Sequence, residues 1–158
     1  ALSCYTATEE LIDRILVRNR IPQKEQEQIL AYIAGQREMM DKILLHSSVT
    51  EEIPALGREE FEQFPMRLSL SGMFYEKDIF YTWEEYQEHL EQIRAYRKMH
   101  PGYTVTENTI SAFRNIQIYI HEKKWVMVSK NKAPAIHFLI QHPKMQSAFE
   151  NMVIPIVE

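Results

Sequence analysis

Apolar residues in the first half of the chain recur at intervals of three and four, and those in the second half at intervals of two. Helices followed by strands are therefore expected. Leu11, Ile12, Ile15 and Leu16 share one face behind Thr6 and Glu9, whose spacing is that of a capping box, which predicts a first helix over about residues 8–18. Pro22 opens a second helix. Ile29, Leu30, Ile33, Met40, Ile43 and Leu44 form its apolar stripe to about Leu45, while Gln and Glu residues fill the other face. That stripe is longer than a short partner helix can cover. It needs either the rest of this domain or the same helix in a second copy. In the second case Ile29, Ile33, Met40 and Leu44 are the dimerisation residues.

Residues 46–57 contain Pro54 and Gly57 and read as a connection. A short acidic helix over Arg58–Gln63 ends at Pro65, and Met66–Leu70 alternates as a strand or extended arm would. Thr82 and Glu85 form another capping box ahead of Trp83, Tyr86, Leu90 and Ile93, and His100, Pro101 and Gly102 stop that helix. Tyr103–Thr106 reads as a strand. Ile116, Ile118 and Ile120 alternate with Gln117, Tyr119 and His121, and Trp125–Lys130 resumes the pattern, so the two runs should form an antiparallel hairpin. Ala135–Ile140 is a further strand. Pro143 begins a last helix with Met145, Ala148, Phe149 and Met152 on its buried face. The expected fold is α+β: an N-terminal helical pair, residues 1–45, that couples or dimerises, then a body, residues 46–158, built on a small antiparallel sheet packed with helices. The two parts form one domain.

The 158 residues are enough for a core without staples, and the 45% hydrophobic and 25% charged fractions suit a globular chain. The single cysteine, Cys4, excludes an internal disulfide framework and a cysteine-rich zinc site. A cytoplasmic location is the expectation, because no apolar run approaches membrane-spanning length and no export signal opens the chain. A net charge of -4 and a pI near 5.9 lack the positive field that drives phosphate binding, so direct nucleic-acid contact by these residues is disfavoured.

Phosphate-binding glycine loops, nucleophile elbows and paired zinc-ligand motifs do not occur. The 6 histidines are scattered, and the pair His137 and His142 is a weak metal constellation. No catalytic residue, metal or cofactor is assigned. Phe74, Tyr75, Phe80, Tyr81, Trp83 and Tyr86 crowd one span that fills a core or lines a pocket. A pocket would be expected on the polar sheet face and nearby aromatics, with Arg67, Tyr81, Tyr119, Trp125 and His137 as ligand-binding residues.

The stretch NIQIYIHEKKWVMVSKNKAPAIHFLIQHPKMQSAFENM, Asn115–Met152, resembles the C-terminal region of helix-turn-helix transcriptional regulators of the phage-repressor type from gut Firmicutes. The strand pair around Trp125, the Ala133, Pro134, Ala135 run and the His142, Pro143 helix start carry the likeness. They span a limited part of the chain and define no single activity. The resemblance implies the non-DNA-binding part of such a regulator, following a DNA-reading domain, which also accounts for a start at Ala1 rather than Met. A helix-turn-helix is not recognisable ahead of the helical pair, so DNA would be reached only through a segment outside these residues.

The expected function is thus a regulatory domain that senses a small-molecule effector, dimerises, or does both, in a homodimer away from the membrane. Two alternatives stand beside it. One is a small enzyme using a carboxylate and a histidine, such as Glu85 and His137, and the other is a pure protein–protein interaction domain.

Overall fold

The computed structural model describes residues 2–70, 77–108, 116–121, 124–130 and 136–157. The chain enters through a two-residue strand, β1 (Leu2–Ser3), and a 3-10 turn, Cys4–Thr6, all buried. Helix α1 (Glu9–Arg18) follows, capped by Thr8, whose side chain accepts from the Leu11 amide at 3.3 Å. Thr6, expected to cap, is instead buried and donates its hydroxyl to the Ser3 carbonyl at 2.9 Å. The same hydroxyl meets His89 Nε2 at 2.8 Å, and the cap is left to the next threonine.

The turn into α2 (Gln23–His46) is a Schellman motif: Ile21 N donates to Leu16 O at 3.1 Å and Arg20 N to Val17 O at 3.0 Å. Arg20 takes the left-handed backbone at φ 57° that the motif requires. The reversal lays α2 back across α1 and the 3-10 turn, so Ile29, Ile33 and Met40 are buried and Leu44 packs half-buried against the same core. Of the two covers expected for this stripe, the rest of the domain buries Ile29, Ile33 and Met40, with Leu30, Ile43 and Leu44 partly buried.

Residues 46–57 are not a connection. They contain β2 (Val49–Pro54), which pairs with both β4 (Tyr103–Asn108) and β5 (Ile116–His121). Pro54 and Gly57, read as turn-formers, instead close this strand and cap the next helix. Between β2 and β4 lie α3 (Arg58–Gln63), β3 (Leu68–Ser69), which pairs with β1, and α4 (Trp83–Met99) with both bonds of its capping box. Such a helical crossover returns β4 parallel to β2, so the sheet is mixed rather than antiparallel.

The expected hairpin is present as β5 and β6 (Trp125–Lys130), with β7 (Ile136–Ile140) beside β6, giving the order β4-β2-β5-β6-β7. Each face carries a core. Val49, Glu51, Ile53, Tyr103 and Tyr119 belong to the main core with the helices, while Ile118, Ile120 and Val126 pack with Phe149 of α5 (Pro143–Val157). Met145, expected on the buried face of α5, is 51% exposed, and Gln146 is the buried residue of that turn, donating to the Lys124 carbonyl at 2.7 Å. The side chain of Met152 lies outside the described residues. Among the described residues no helix is long and apolar enough to cross a membrane.

Candidate functional site

Glu51 sits at the centre of the sheet face that meets the helices, with no exposed surface. A carboxylate there must be hydrogen-bonded, since burying an unpartnered charge is prohibitively costly. Three hydroxyls meet it. Tyr5 and Tyr103 each donate to Oε2 at 2.8 Å, and Ser3 donates to Oε1. The acidic side chain and its donors come from β2, β4, β1 and the 3-10 turn, so the cluster exists only once all four are assembled.

Ser3 Oγ also contacts the hydroxyl of Tyr119, from β5. Ser3 thus links the Tyr119 hydroxyl to the Glu51 carboxylate, which accepts. The three groups form a buried polar chain across β5, β1 and β2. Burial, with the Glu51 charge beside them, pushes the Tyr5 and Tyr103 phenols well above their ordinary range, so both remain donors.

Above this chain opens a cleft of about 620 Å³ between α2 and the β5–β6–β7 side of the sheet. Ser3, Cys4, Tyr5 and Tyr119, all buried, form its floor. Met40 and Ile43 from α2 face Trp125 and Met127 from β6 across it, and the exposed side chains of Met39 and Leu139 stand at its mouth. Gln36, Ser69 and Gln141 complete the lining. Burial pushes the Cys4 thiol up to about 12, which favours its protonated form.

A second polar chain runs behind the floor. Thr6 spends its proton on Ser3 O, so His89 Nε2 donates to Thr6 Oγ1 at 2.8 Å, and Tyr81 donates to His89 Nδ1 at 2.7 Å. Burial drives the His89 imidazole down to about 3, which keeps it neutral. A smaller cleft of about 380 Å³ lies between α2 and α4, bordered by Arg37, Asp41 and Tyr96.

Of the five expected ligand residues, Tyr119 and Trp125 line the larger cleft. Tyr81 is 3% exposed and engaged with His89 in the core. Arg67 is held by Asp78 at 3.4 Å and lies over the Phe80 ring at 5.6 Å, away from the cleft. The backbone of His137 pairs with Ser129 in β7, and its side chain lies outside the described residues. In the aromatic span, Trp83 and Tyr86 pack with Phe61 as core, while Phe74 and Tyr75 lie outside the described residues. Glu85 is engaged by its own cap and by Arg18 at 2.6 Å, and α4 packs beside β4, at the opposite edge of the sheet from β7. The carboxylate and imidazole of the enzyme alternative thus belong to distant elements. Among the described residues no group of His, Cys, Asp and Glu is arranged to hold a metal.

Glu51, Ser3 and Tyr5 were missed in the sequence. The signal for Glu51 was Val49 and Ile53 at a period of two on either side of it. Ser3 and Tyr5 gave none, since a short segment near a terminus has no periodicity to read. Comparison with protein-family models, curated proteins and solved structures finds no match for this chain.

Proposed function

We propose that this chain is a non-catalytic ligand-sensing domain whose effector occupies the cleft between α2 and the sheet. One observation carries the reading: a cleft of about 620 Å³ has apolar sides and a buried polar floor, the composition that holds and orients a small molecule. Its lining is drawn from β1, β3, α2 and the β5–β6–β7 strands, so an occupant bridges the helical and sheet layers. A signal follows when the effector binds two arrangements of those layers unequally.

The resemblance of residues 115–152 supports placing the domain in a transcriptional regulator, and the net charge of -4 supports DNA contact by other residues. The test is a thermal-shift screen of small apolar and polar compounds on the wild type and on Met39→Trp, which narrows the mouth at an exposed position. Binders should raise the melting temperature of the wild type with concentration and lose that effect in the variant. Binders indifferent to Met39→Trp would refute the cleft as the site.

An interaction domain is the second reading, favoured by β7: on this edge strand Ile136, Phe138 and Leu139 are 45%, 62% and 59% exposed. The expected homodimer would use this strand, since the α2 stripe is occupied. Sedimentation of wild type and Phe138→Glu tests it. Concentration-dependent association lost in the variant supports the reading, and a monomer at all concentrations removes the homodimer.

A further inference from the structure

We infer that the smaller cleft, between α2 and α4, is a second ligand site and takes a free amino acid with an apolar side chain. Its volume of about 380 Å³ suits a molecule of that size. Arg37 and Asp41 both line it and stand four residues apart on α2, one turn along the same face. That spacing allows a salt bridge between the two, and none forms. Arg37 instead donates to the carbonyl of Ala7, itself part of the cleft lining, and this is its single hydrogen bond among the described residues. Asp41 Oδ1 lies 3.9 Å from His100 Nε2, beyond hydrogen-bond range, and its side chain is 59% exposed.

Two opposite charges held apart on one wall match a molecule that carries both. An amino acid bears its ammonium and carboxylate on a single carbon, so the carboxylate takes remaining guanidinium donors while the ammonium meets Asp41. Glu9 borders the same cleft as a second carboxylate. A bare carboxylate would therefore meet two acids, and a bare amine would meet the guanidinium. Burial raises the Tyr96 phenol to about 12, and Asp41 adds to that rise while Arg37 opposes it, so both charges act on a ring of the α4 wall. Tyr96, Ala95 and the exposed Met99 give the ligand side chain a surface of ring, methyl and thioether. The described lining of the larger cleft holds no charged side chain, so the two clefts sort ligands by charge.

The experiment uses the full chain with leucine and phenylalanine. Isocaproate and hydrocinnamate serve as the same molecules without the ammonium, and isoamylamine and phenethylamine as the same without the carboxylate. Binding is followed by the 13C-methyl resonance of Met99, while Met39, Met40 and Met127 report on the larger cleft. At least one of the two amino acids should shift Met99 by about 10 mM, ten times a weak affinity of about 1 mM, and each of its analogues should bind about ten-fold more weakly. Arg37→Gln and Asp41→Asn should each weaken the amino acid by about ten-fold, with melting curves establishing that the variants are folded. Arg37→Gln should leave the amine unweakened, which a merely structural defect would not. Silence of Met99 toward both amino acids, analogues binding as tightly as their parent, or affinity unchanged in both variants would overturn the inference. Shifts confined to Met39, Met40 and Met127 would overturn it too, and would support the larger cleft as the ligand site.

Discussion

Tyr103 donates its hydroxyl to Glu51 at 2.8 Å, although its register partner across the parallel β2–β4 pair is Val49. The long phenol reaches diagonally along the face, and the diagonal is within range of an aromatic side chain. This contact joins the crossover strand to the polar cluster beneath the cleft. It makes Glu51 a structural centre as well as the end of the hydroxyl chain.

Glu51→Gln is expected to destabilise the fold by about 1–3 kcal/mol, because an amide cannot accept all three hydroxyls and adds a buried donor of its own. Urea unfolding at neutral pH measures it. A change within about 0.5 kcal/mol would mean that the carboxylate is hydrated rather than bound by Ser3, Tyr5 and Tyr103.

His89 makes stability depend on acid. Its folded value, near 3, lies below the ordinary 6.5, so as pH falls through that window the unfolded chain takes up a proton that the folded one refuses. Its contribution is intact above about 6.5 and is lost toward 3, at up to about 1.4 kcal/mol per pH unit. Unfolding at several pH values from neutral down should give a steeper acid loss for wild type than for His89→Gln. Parallel curves would show that this imidazole is solvated.

Arg20 occupies a left-handed position that glycine adopts at no steric cost. Arg20→Gly should raise stability by a few tenths to about 1 kcal/mol, an uncommon direction for a glycine substitution. A loss of stability of that size would mean that the turn does not have this geometry.

Gly102 shows the converse constraint. A Cβ there would come within 2.8 Å of the Ser47 carbonyl oxygen, which is backbone and yields little. Gly102→Ala should cost about 1–3 kcal/mol, read as a lowered melting temperature. Unchanged melting would place the end of α2 further from the start of β4.

Local chemistry made several elements legible. Thr82 with Glu85 marked the start of α4, Pro22 the start of α2, and the alternation of Ile116, Ile118 and Ile120 the hairpin. Each signal lies within a few residues of what it specifies. The parallel return of β4, the cover over Ile29 and Ile33, and the meeting of Ser3, Glu51 and Tyr119 depend on contacts distant in sequence, which no local window contains. Tyr119 and Trp125 could be proposed from alternation on a sheet face, whereas Tyr81 could not be separated from them because its histidine partner is invisible until α4 is packed.

By itself, then, the order of residues determined the α+β class, the ends of the main helices and the β5–β6 pairing, because capping, proline geometry and side-chain periodicity act over a few bonds. Only the tertiary structure decided that a Glu-Glu segment is an interior strand and that the first residues underlie a cleft. A buried carboxylate is tolerable only where distant hydroxyls converge on it, and that convergence is a property of the assembled layers.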